Sequence, residues 1–233
     1  MKKILISMVI VFALNIACTD VDRGAAANKN KDRATTLIKF KKNADQGDAT
    51  AQSFLGLIYL NGNGVPKNSR EALKWLTLAA NQGRADAQYN LGVMYEFGDG
   101  VPKNPKEAFK WYTLAANQSV APAQNNLASM YANGYGVSKN PQEAFKLYSL
   151  AANQGDAGAQ YNLGLHYAHG EVISKNKVLA YALYDLAAAK SDELTKKNIA
   201  QIKPNLTPKQ LEEAQKISRN WKVGTPFPTK TKY

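Results

Sequence analysis

The chain has 233 residues, of which 30 are lysine or arginine and 18 are aspartate or glutamate, so its net charge is +12 at neutral pH. The repeated part, residues 48–189, carries 11 basic and 10 acidic side chains, whereas residues 190–233 carry 10 basic and 4 acidic ones. Because nucleic acid binding requires cations along one structured face and no recognition motif accompanies this charge, the charge distribution argues against a nucleic acid partner and favours a solvated basic segment.

Residues 1–17 have the pattern of a signal sequence. Lys2 and Lys3 form a short basic region, and residues 4–17 form an apolar stretch of 14 residues. Such a stretch is shorter than a comfortable membrane span, and the order of basic and apolar regions is that of a secretory signal. The mature chain is therefore predicted to leave the cytoplasm.

Cys18, the only cysteine, follows this stretch directly. The arrangement resembles a bacterial lipoprotein signal, in which the cysteine becomes the lipidated first residue. It departs from that pattern at Asn15, where such signals carry an aliphatic residue. The alternative is ordinary cleavage near Thr19. In either case the lone cysteine forms no internal disulfide, and contact with a membrane is predicted only through a lipid anchor at Cys18.

Two short segments precede the main pattern. Residues 18–33 are polar and show no periodicity, which predicts a flexible tether. Residues 34–47 resemble the second half of a later repeat, because Ala44 and Gln46-Gly47 align with Ala80 and Gln82-Gly83. They predict a lone helix that caps the array.

A 36-residue period then runs through the chain four times, over residues 48–83, 84–119, 120–155 and 156–191. Tyrosine, glycine and paired alanines recur at this step, as in Tyr59, Tyr95, Tyr131 and Tyr167, and Gly62, Gly98, Gly134 and Gly170. A fixed period of this length indicates stacked two-helix units. Such an array favours a binding surface over an enclosed catalytic pocket.

Each repeat is predicted to contain two helices. In the first repeat, Ala51, Leu55 and Tyr59 have helical spacing, and a turn rich in glycine and proline follows. Asn68 lies three residues before Glu71, which predicts a capping box at the start of the second helix. Small residues are expected to let neighbouring helices approach closely: Gly56, Gly92, Ala128 and Gly164.

The segment after the repeats is predicted to close the array and then lose order. Residues 192–221 read as two capping helices, the second beginning at Thr207 with a proline at its first position and Gln210 at its third. Residues 222–233 contain two prolines and three lysines, which predicts a disordered tail.

The run Ala-x-x-x-Leu-Gly-x-x-Tyr-x-x-Gly-x-Gly-Val, followed by a Lys-Asn loop and a helix that ends in Ala-Ala, resembles the Sel1-like repeat family, which is related to the tetratricopeptide repeats. The resemblance covers residues 34–191. It implies an all-α fold, a right-handed α-solenoid of helix-turn-helix repeats, and a role in protein–protein contact. One cysteine-rich subgroup has been linked to penicillin binding, and this chain lacks its cysteine pairs.

Two patterns of reactive residues have structural explanations. Ser174 and Lys177 spell the Ser-x-x-Lys of penicillin-reactive enzymes, but the companion motifs are absent and the segment aligns with the loop between helices. His166 and His169 lie three residues apart on one helix and could contact one metal ion, but no third ligand is evident. No catalytic residue, metal site or cofactor is predicted.

By analogy with tetratricopeptide repeats, one side of the first helices forms a concave face. The residues predicted to bind a peptide there are Asn90, Asn126, Asn162, Tyr89, Tyr161, Phe97 and Asn125. An asparagine amide can both donate to and accept from an extended backbone. The alternative is that each asparagine braces the adjacent repeat, and the ladder can serve both roles.

The sequence thus predicts a non-catalytic protein–protein interaction scaffold of the bacterial cell envelope, in the periplasm, on the outer membrane as a lipoprotein, or secreted. It binds a protein or an extended peptide and is a monomer or associates weakly with itself. Two other classes stay open: a penicillin-binding or β-lactamase-like envelope enzyme, and a self-associating structural module.

Overall fold

The computed structural model describes residues 31–188 and 193–232, and every regular element within them is helical, as the repeat pattern predicts. The predicted signal over residues 1–17, the lipidation residue Cys18 and the tether up to residue 30 lie outside the described residues. Residues 31–33, which the sequence pattern places in the tether, instead begin the first helix.

The helices are numbered in chain order within the described residues, and a 3₁₀ turn over Lys203–Asn205 separates the last two. They are α1 (Lys31–Asp45), α2 (Ala49–Asn61), α3 (Ser69–Asn81), α4 (Ala85–Phe97), α5 (Pro105–Asn117), α6 (Ala121–Asn133), α7 (Pro141–Asn153), α8 (Ala157–His169), α9 (Lys177–Ala188), α10 (Glu193–Ile202) and α11 (Pro208–Asn220). None of these described helices combines the length and the apolar character that crossing a membrane requires.

The described residues divide into two compact units, one that extends to Asn90 and one that begins at Leu91, and α4 contains the boundary. In the described part of the first unit, α1 packs on α2 and α2 packs on α3. Leu55 and Trp75 form the core there with Ala44 of α1, and Phe40 of α1 stacks against Phe54 with ring centroids 5.2 Å apart. The lone helix α1 thus covers the apolar stripe of the first repeat.

In the second unit each helix from α5 to α9 packs on the next one along the chain, and α9 also packs on α11. The fourth repeat departs from the pattern at a buried position of α9. Leu179 stands where Glu143 stands one repeat earlier, and it is fully buried. Because an unpaired carboxylate at a buried position is costly, leucine is the better residue at this end of the array.

Asparagine begins the second helices, as expected. The side chain of Asn68 accepts hydrogen bonds from the backbone N–H groups of Arg70 and Glu71. The predicted reciprocal half of the capping box differs, because the Glu71 carboxylate accepts instead from the indole N–H of Trp75 at 3.2 Å. A complete capping box occurs at Thr207 and Gln210.

Small residues lie where helices approach most closely. A Cβ atom on Gly92 would lie 2.4 Å from the ring of Tyr112, which is fully buried. A Cβ atom on Gly164 would lie 2.7 Å from the ring of Tyr184 in the same way. Because real Cβ contacts are longer than this, a side chain at either position would force the ring to move.

A buried glutamine joins each first helix to the second helix before it. Four glutamines, each only 4% exposed, donate from Nε2 to a backbone carbonyl eight residues earlier: Gln52 to Ala44, Gln88 to Ala80, Gln124 to Ala116 and Gln160 to Ala152. Gln124 also accepts from Gln154 at 2.8 Å. Each of these carbonyls also accepts from the backbone N–H three residues later, in the turn that follows the helix. The glutamine therefore adds a second hydrogen bond, which joins the two helices.

Residues 222–232, here called the strap, differ from the predicted disordered tail. The backbone N–H of Phe227 donates to Asn153 Oδ1 at 2.8 Å, and the Phe227 ring is 7% exposed. The segment is poor in apolar residues, but burial of this single ring anchors it. Sequence composition averages over the segment and therefore misses one anchoring residue.

We expect Gln124→Ala to lower the free energy of unfolding by about 1–2 kcal/mol. It removes the buried hydrogen bond to the Ala116 carbonyl, which keeps the backbone N–H of Ser119 as a partner, and it also removes the bond from the exposed Gln154 amide. Urea titration followed by circular dichroism measures this change. Gln142→Ala is the matched control, because Gln142 is exposed. Its effect should stay within about 0.5 kcal/mol, and an equal loss in both variants would contradict the bridging role.

We expect Ser119→Gly to stabilise the chain by about 0.5–1 kcal/mol. Ser119 has a φ angle of 63°, and the equivalent residues Gly47, Gly83 and Gly155 have φ angles of 92°, 87° and 82°. Glycine adopts this region without the steric cost of a Cβ atom. The same titration checks the change, and Ser119→Ala should give no gain because alanine keeps the Cβ atom.

Candidate functional site

In the first unit, the predicted site residue Asn90 is turned into the packing. It is 1% exposed, and its Nδ2 donates to the Asp86 carbonyl at 2.7 Å. Its Oδ1 is buried and makes no hydrogen bond in the described part of the chain. Tyr89, its neighbour, is half-buried. Asn90 therefore offers no accessible amide to a ligand, and its role in peptide binding stays a prediction.

A polar cluster beside Asn90 links the first helices α2 and α4. The Asp86 carboxylate accepts from the Ser53 hydroxyl at 2.7 Å and from two nitrogens of Arg84 at 3.0 and 3.1 Å. Burial favours the neutral acid, but the hydrogen bonds from Arg84 and Ser53 outweigh it and lower the pKa of Asp86. A carboxylate held by three donors acts as a brace between repeats.

In the second unit, three predicted site residues form a chain of amides across α6 and α8. Asn162 Nδ2 donates to Asn125 Oδ1 at 3.1 Å, and Asn125 Nδ2 lies 3.4 Å from Asn126 Oδ1. The link between the helices therefore joins positions 37 residues apart rather than the 36 of the predicted ladder. The contacts of Asn125 therefore match the alternative in which an asparagine braces the adjacent repeat.

The same chain leaves two groups available. The amide nitrogen of Asn126 and the amide oxygen of Asn162 make no hydrogen bond among the described residues, and both side chains are half-buried. One group is a donor and the other is an acceptor, and they lie on successive first helices. An extended backbone presents the complementary pair of groups.

Further along this face, a hydrogen bond joins the side chains of Tyr161 and Asn198. Asn198 Nδ2 of α10 donates to the hydroxyl of Tyr161 on α8 at 3.1 Å. The rings of Tyr161 and Tyr184 lie 5.8 Å apart. Burial, together with the neighbouring Tyr161, raises the pKa of Tyr184 to about 12, so its hydroxyl stays protonated at physiological pH.

A cleft of about 270 Å³ opens beside this pair, between α8 and α10. Its apolar wall includes Leu165 and Ile202, and its polar wall includes His169, Lys177 and Asn198. Pockets for drug-sized ligands are usually about 300–1,000 Å³, so this cleft suits one or two side chains of a longer partner. The sequence pattern does not predict that Asn198 and Ile202 line this cleft, because it indicates only a capping role for residues 192–221.

Phe97, the last predicted site residue, ends α4 in the second unit and is 56% exposed. A phenylalanine that stays exposed provides an apolar contact surface for a partner. The predicted peptide-binding role of this residue, like that of the asparagines, stays a prediction.

The fold places the two histidines, His166 and His169, in different environments, and it places Ser174 and Lys177 around the start of α9. His166 is buried between the rings of Phe145 and Tyr148, whereas His169 is exposed. In the part of the chain that the structure describes, no three histidine, cysteine or acidic side chains form a metal-binding group. Ser174 lies exposed in the loop before α9, and Lys177 is the first residue of that helix.

Comparison with known families accounts for the repeated helix pairs. The model of the Sel1 repeat matches residues 49–83, 85–120, 121–156 and 157–192. The chain belongs to the Sel1 repeat family. Sel1 repeat proteins generally act as protein-interaction scaffolds, and the family is typically not enzymatic.

Solved Sel1 repeat structures resemble this chain in sequence and fold. The protective antigen c5321 of uropathogenic Escherichia coli strains, which displays an SLR fold, is 36% identical over 79% of this chain, with a TM-score of 0.73. This chain covers 40% of that antigen. A Sel1 repeat protein from Oxalobacter formigenes is 36% identical over 72% of this chain and 74% of its own, with a TM-score of 0.62. No curated protein matched.

We expect His166 to make the stability of this Sel1 repeat protein depend on pH. Burial lowers the pKa of His166 below its usual 6.5, the exposed His169 lowers it further, and Glu171 opposes the shift. The unfolded chain therefore takes up a proton near pH 6.5 that the folded chain resists, so stability is complete above pH 6.5 and falls as the pH drops below it.

The measurement is urea titration at several pH values between 5 and 8. One proton contributes at most about 1.4 kcal/mol per pH unit. His166→Met is the matched variant, because Met94 and Met130 occupy this position in the two preceding repeats. It should flatten the acid side of the profile, and an unchanged acid slope in His166→Met would contradict this origin.

Proposed function

We propose that this protein is an exported, non-catalytic scaffold of the bacterial cell envelope, and that it binds an extended segment of a protein partner across α6, α8 and α10. The observation that supports this most directly is the pair of unused amide groups on Asn126 and Asn162. They present a donor and an acceptor on successive first helices, next to a cleft with an apolar wall.

The energetics require both features together. Two hydrogen bonds contribute about 1–3 kcal/mol in total, whereas micromolar binding needs about 8 kcal/mol. The amides alone are therefore too weak to hold a partner. A side chain of the partner that enters the cleft against Leu165 and Ile202 would contribute the apolar burial that is missing.

The proposed location rests on the sequence before the repeats. A basic and apolar signal over residues 1–17 followed by Cys18 favours export with a lipid anchor. The similar protein c5321 is described as a protective antigen, which agrees with an exported location here. The intact mass of the protein from a membrane fraction would show removal of residues 1–17 and acyl chains on Cys18, and retention of residues 1–17 would contradict export.

We expect Asn126→Ala to weaken capture of the envelope partner about three- to tenfold, because it removes one hydrogen bond to the ligand and keeps the bridge between Asn125 and Asn162. The partner is first captured from envelope extract by the immobilised full chain and identified, and its dissociation constant is then measured with each variant. Asn162→Ala should weaken binding as well, with an added loss of stability because it breaks the bridge.

Gln142→Ala on α7 is the control and should bind the partner as the unmodified chain does. If neither Asn126→Ala nor Asn162→Ala changes the dissociation constant, the partner binds elsewhere and the proposed face is wrong. An Ser174-dependent adduct with a fluorescent penicillin would instead show that the protein is an envelope enzyme.

A further inference from the structure

The strap is held in the way that a bound peptide is held. The backbone N–H of Gly224 donates to the Asn153 carbonyl at 2.7 Å, and the backbone N–H of Phe227 donates to Asn153 Oδ1 at 2.8 Å. Near its end, the N–H of Lys232 donates to Glu213 Oε1 at 2.8 Å. These three bonds use the backbone of the strap, so they fit an extended segment of many sequences.

The receiving surface belongs to the second helices. Asn153 ends α7, Glu213 lies on α11, and Asn176, which donates to the Thr231 hydroxyl at 3.0 Å, precedes α9. These groups lie on different helices from the proposed binding face of α6, α8 and α10. We call this surface the second-helix groove.

Gly155 gives the second-helix groove room for the strap. A Cβ atom on this residue would lie 3.0 Å from Cγ2 of Val223, which is tighter than ordinary van der Waals contact. The preceding repeat carries Ser119 at the equivalent position. Gly47 and Gly83 occupy the same position in earlier parts of the array, so the glycine permits the contact with Val223 but does not by itself specify it.

The strap fills the second-helix groove incompletely. Phe227 is its only buried residue, and Val223 is 67% exposed. Glu213 Oε2 is buried and has no hydrogen-bond partner among residues 31–188 and 193–232. One buried ring and a few hydrogen bonds oppose the entropy cost of ordering the strap backbone. A segment that also paired Glu213 Oε2 would bind better than the strap does.

We propose that the second-helix groove is a second peptide-binding site, and that the strap occupies it in cis until a partner segment displaces it. The expected ligand is an extended segment with an aromatic residue between two prolines, as in Pro226-Phe227-Pro228. Proline favours the extended conformation and has no N–H group to leave unpaired. This site goes beyond the proposed function, because it uses different helices and a different ligand.

Occupation in cis sets the size of the expected effect. A short tether gives its segment an effective concentration on the order of 1 mM. If the free segment binds the open groove with a dissociation constant of about 0.1 mM, the attached strap weakens the binding of a free peptide roughly tenfold. Release of the strap should therefore strengthen the binding of the free peptide about tenfold.

The experiment measures the fluorescence anisotropy of a labelled peptide of residues 222–232 with the full chain. Phe227→Ala in the full chain removes the ring that anchors the strap, and we expect it to bind the peptide about tenfold more tightly than the unmodified chain. When Asn153→Ala is combined with Phe227→Ala, the gain in peptide affinity should be lost. Addition of Asn117→Ala, the equivalent residue one repeat earlier, should not remove the gain, because the strap makes no described contact with it.

The proposal is overturned if Phe227→Ala binds the peptide no more tightly than the unmodified chain, or if Asn153→Ala and Asn117→Ala act alike. A second measurement needs no variant, since hydrogen exchange of the Phe227 and Lys232 amides can be followed in the unmodified chain. Saturating free peptide should accelerate their exchange as the strap leaves the groove. Unchanged exchange with bound peptide would place the peptide elsewhere and sink the proposal.

Discussion

Four backbone carbonyls near helix ends each accept two hydrogen bonds, one from the turn that follows and one from a buried glutamine on the next helix. The glutamine near the start of each following helix donates this second bond from within the packed interface. It places one polar bond among alanine and leucine side chains, where an unsatisfied group would cost more than the bond gains. The alignment of successive helices is therefore specified by a hydrogen bond, whereas the apolar contacts mainly supply stability.

Bracing between repeats also decides which polar groups remain for a ligand. In the first unit the amide of Asn90 and the carboxylate of Asp86 are both committed to internal bonds. In the second unit Asn125 takes the bracing role, and the neighbouring Asn126 and Asn162 keep free bonding capacity. Asparagines at equivalent positions of the repeats thus differ in their hydrogen bonds. In the second unit the residue one position earlier, Asn125, contacts the adjacent first helix.

The sequence predicts the helix pairs, their caps and the close contacts at Gly92 and Gly164, because these follow from short-range patterns along one helix or turn. It does not predict the role of Gln124, since residue spacing does not show which carbonyl a buried amide will reach. It misses the contribution of Asn198 for the same reason. The contact of Asn198 with Tyr161 joins residues 37 positions apart on different helices, and it depends on how those helices pack. The strap escapes prediction because Phe227 alone carries its burial.

The cover that α11 provides over α9 also bears on how such arrays change in length during evolution. A duplicated copy of residues 120–155 inserted directly after residue 155 would meet the same glutamine and carbonyl chemistry at each junction. A copy inserted after α9 would separate α9, which is rich in buried apolar side chains, from the closing helices α10 and α11 that pack on it. Gene duplication can therefore lengthen the interior of the array, while the closing helices stay fixed at its end.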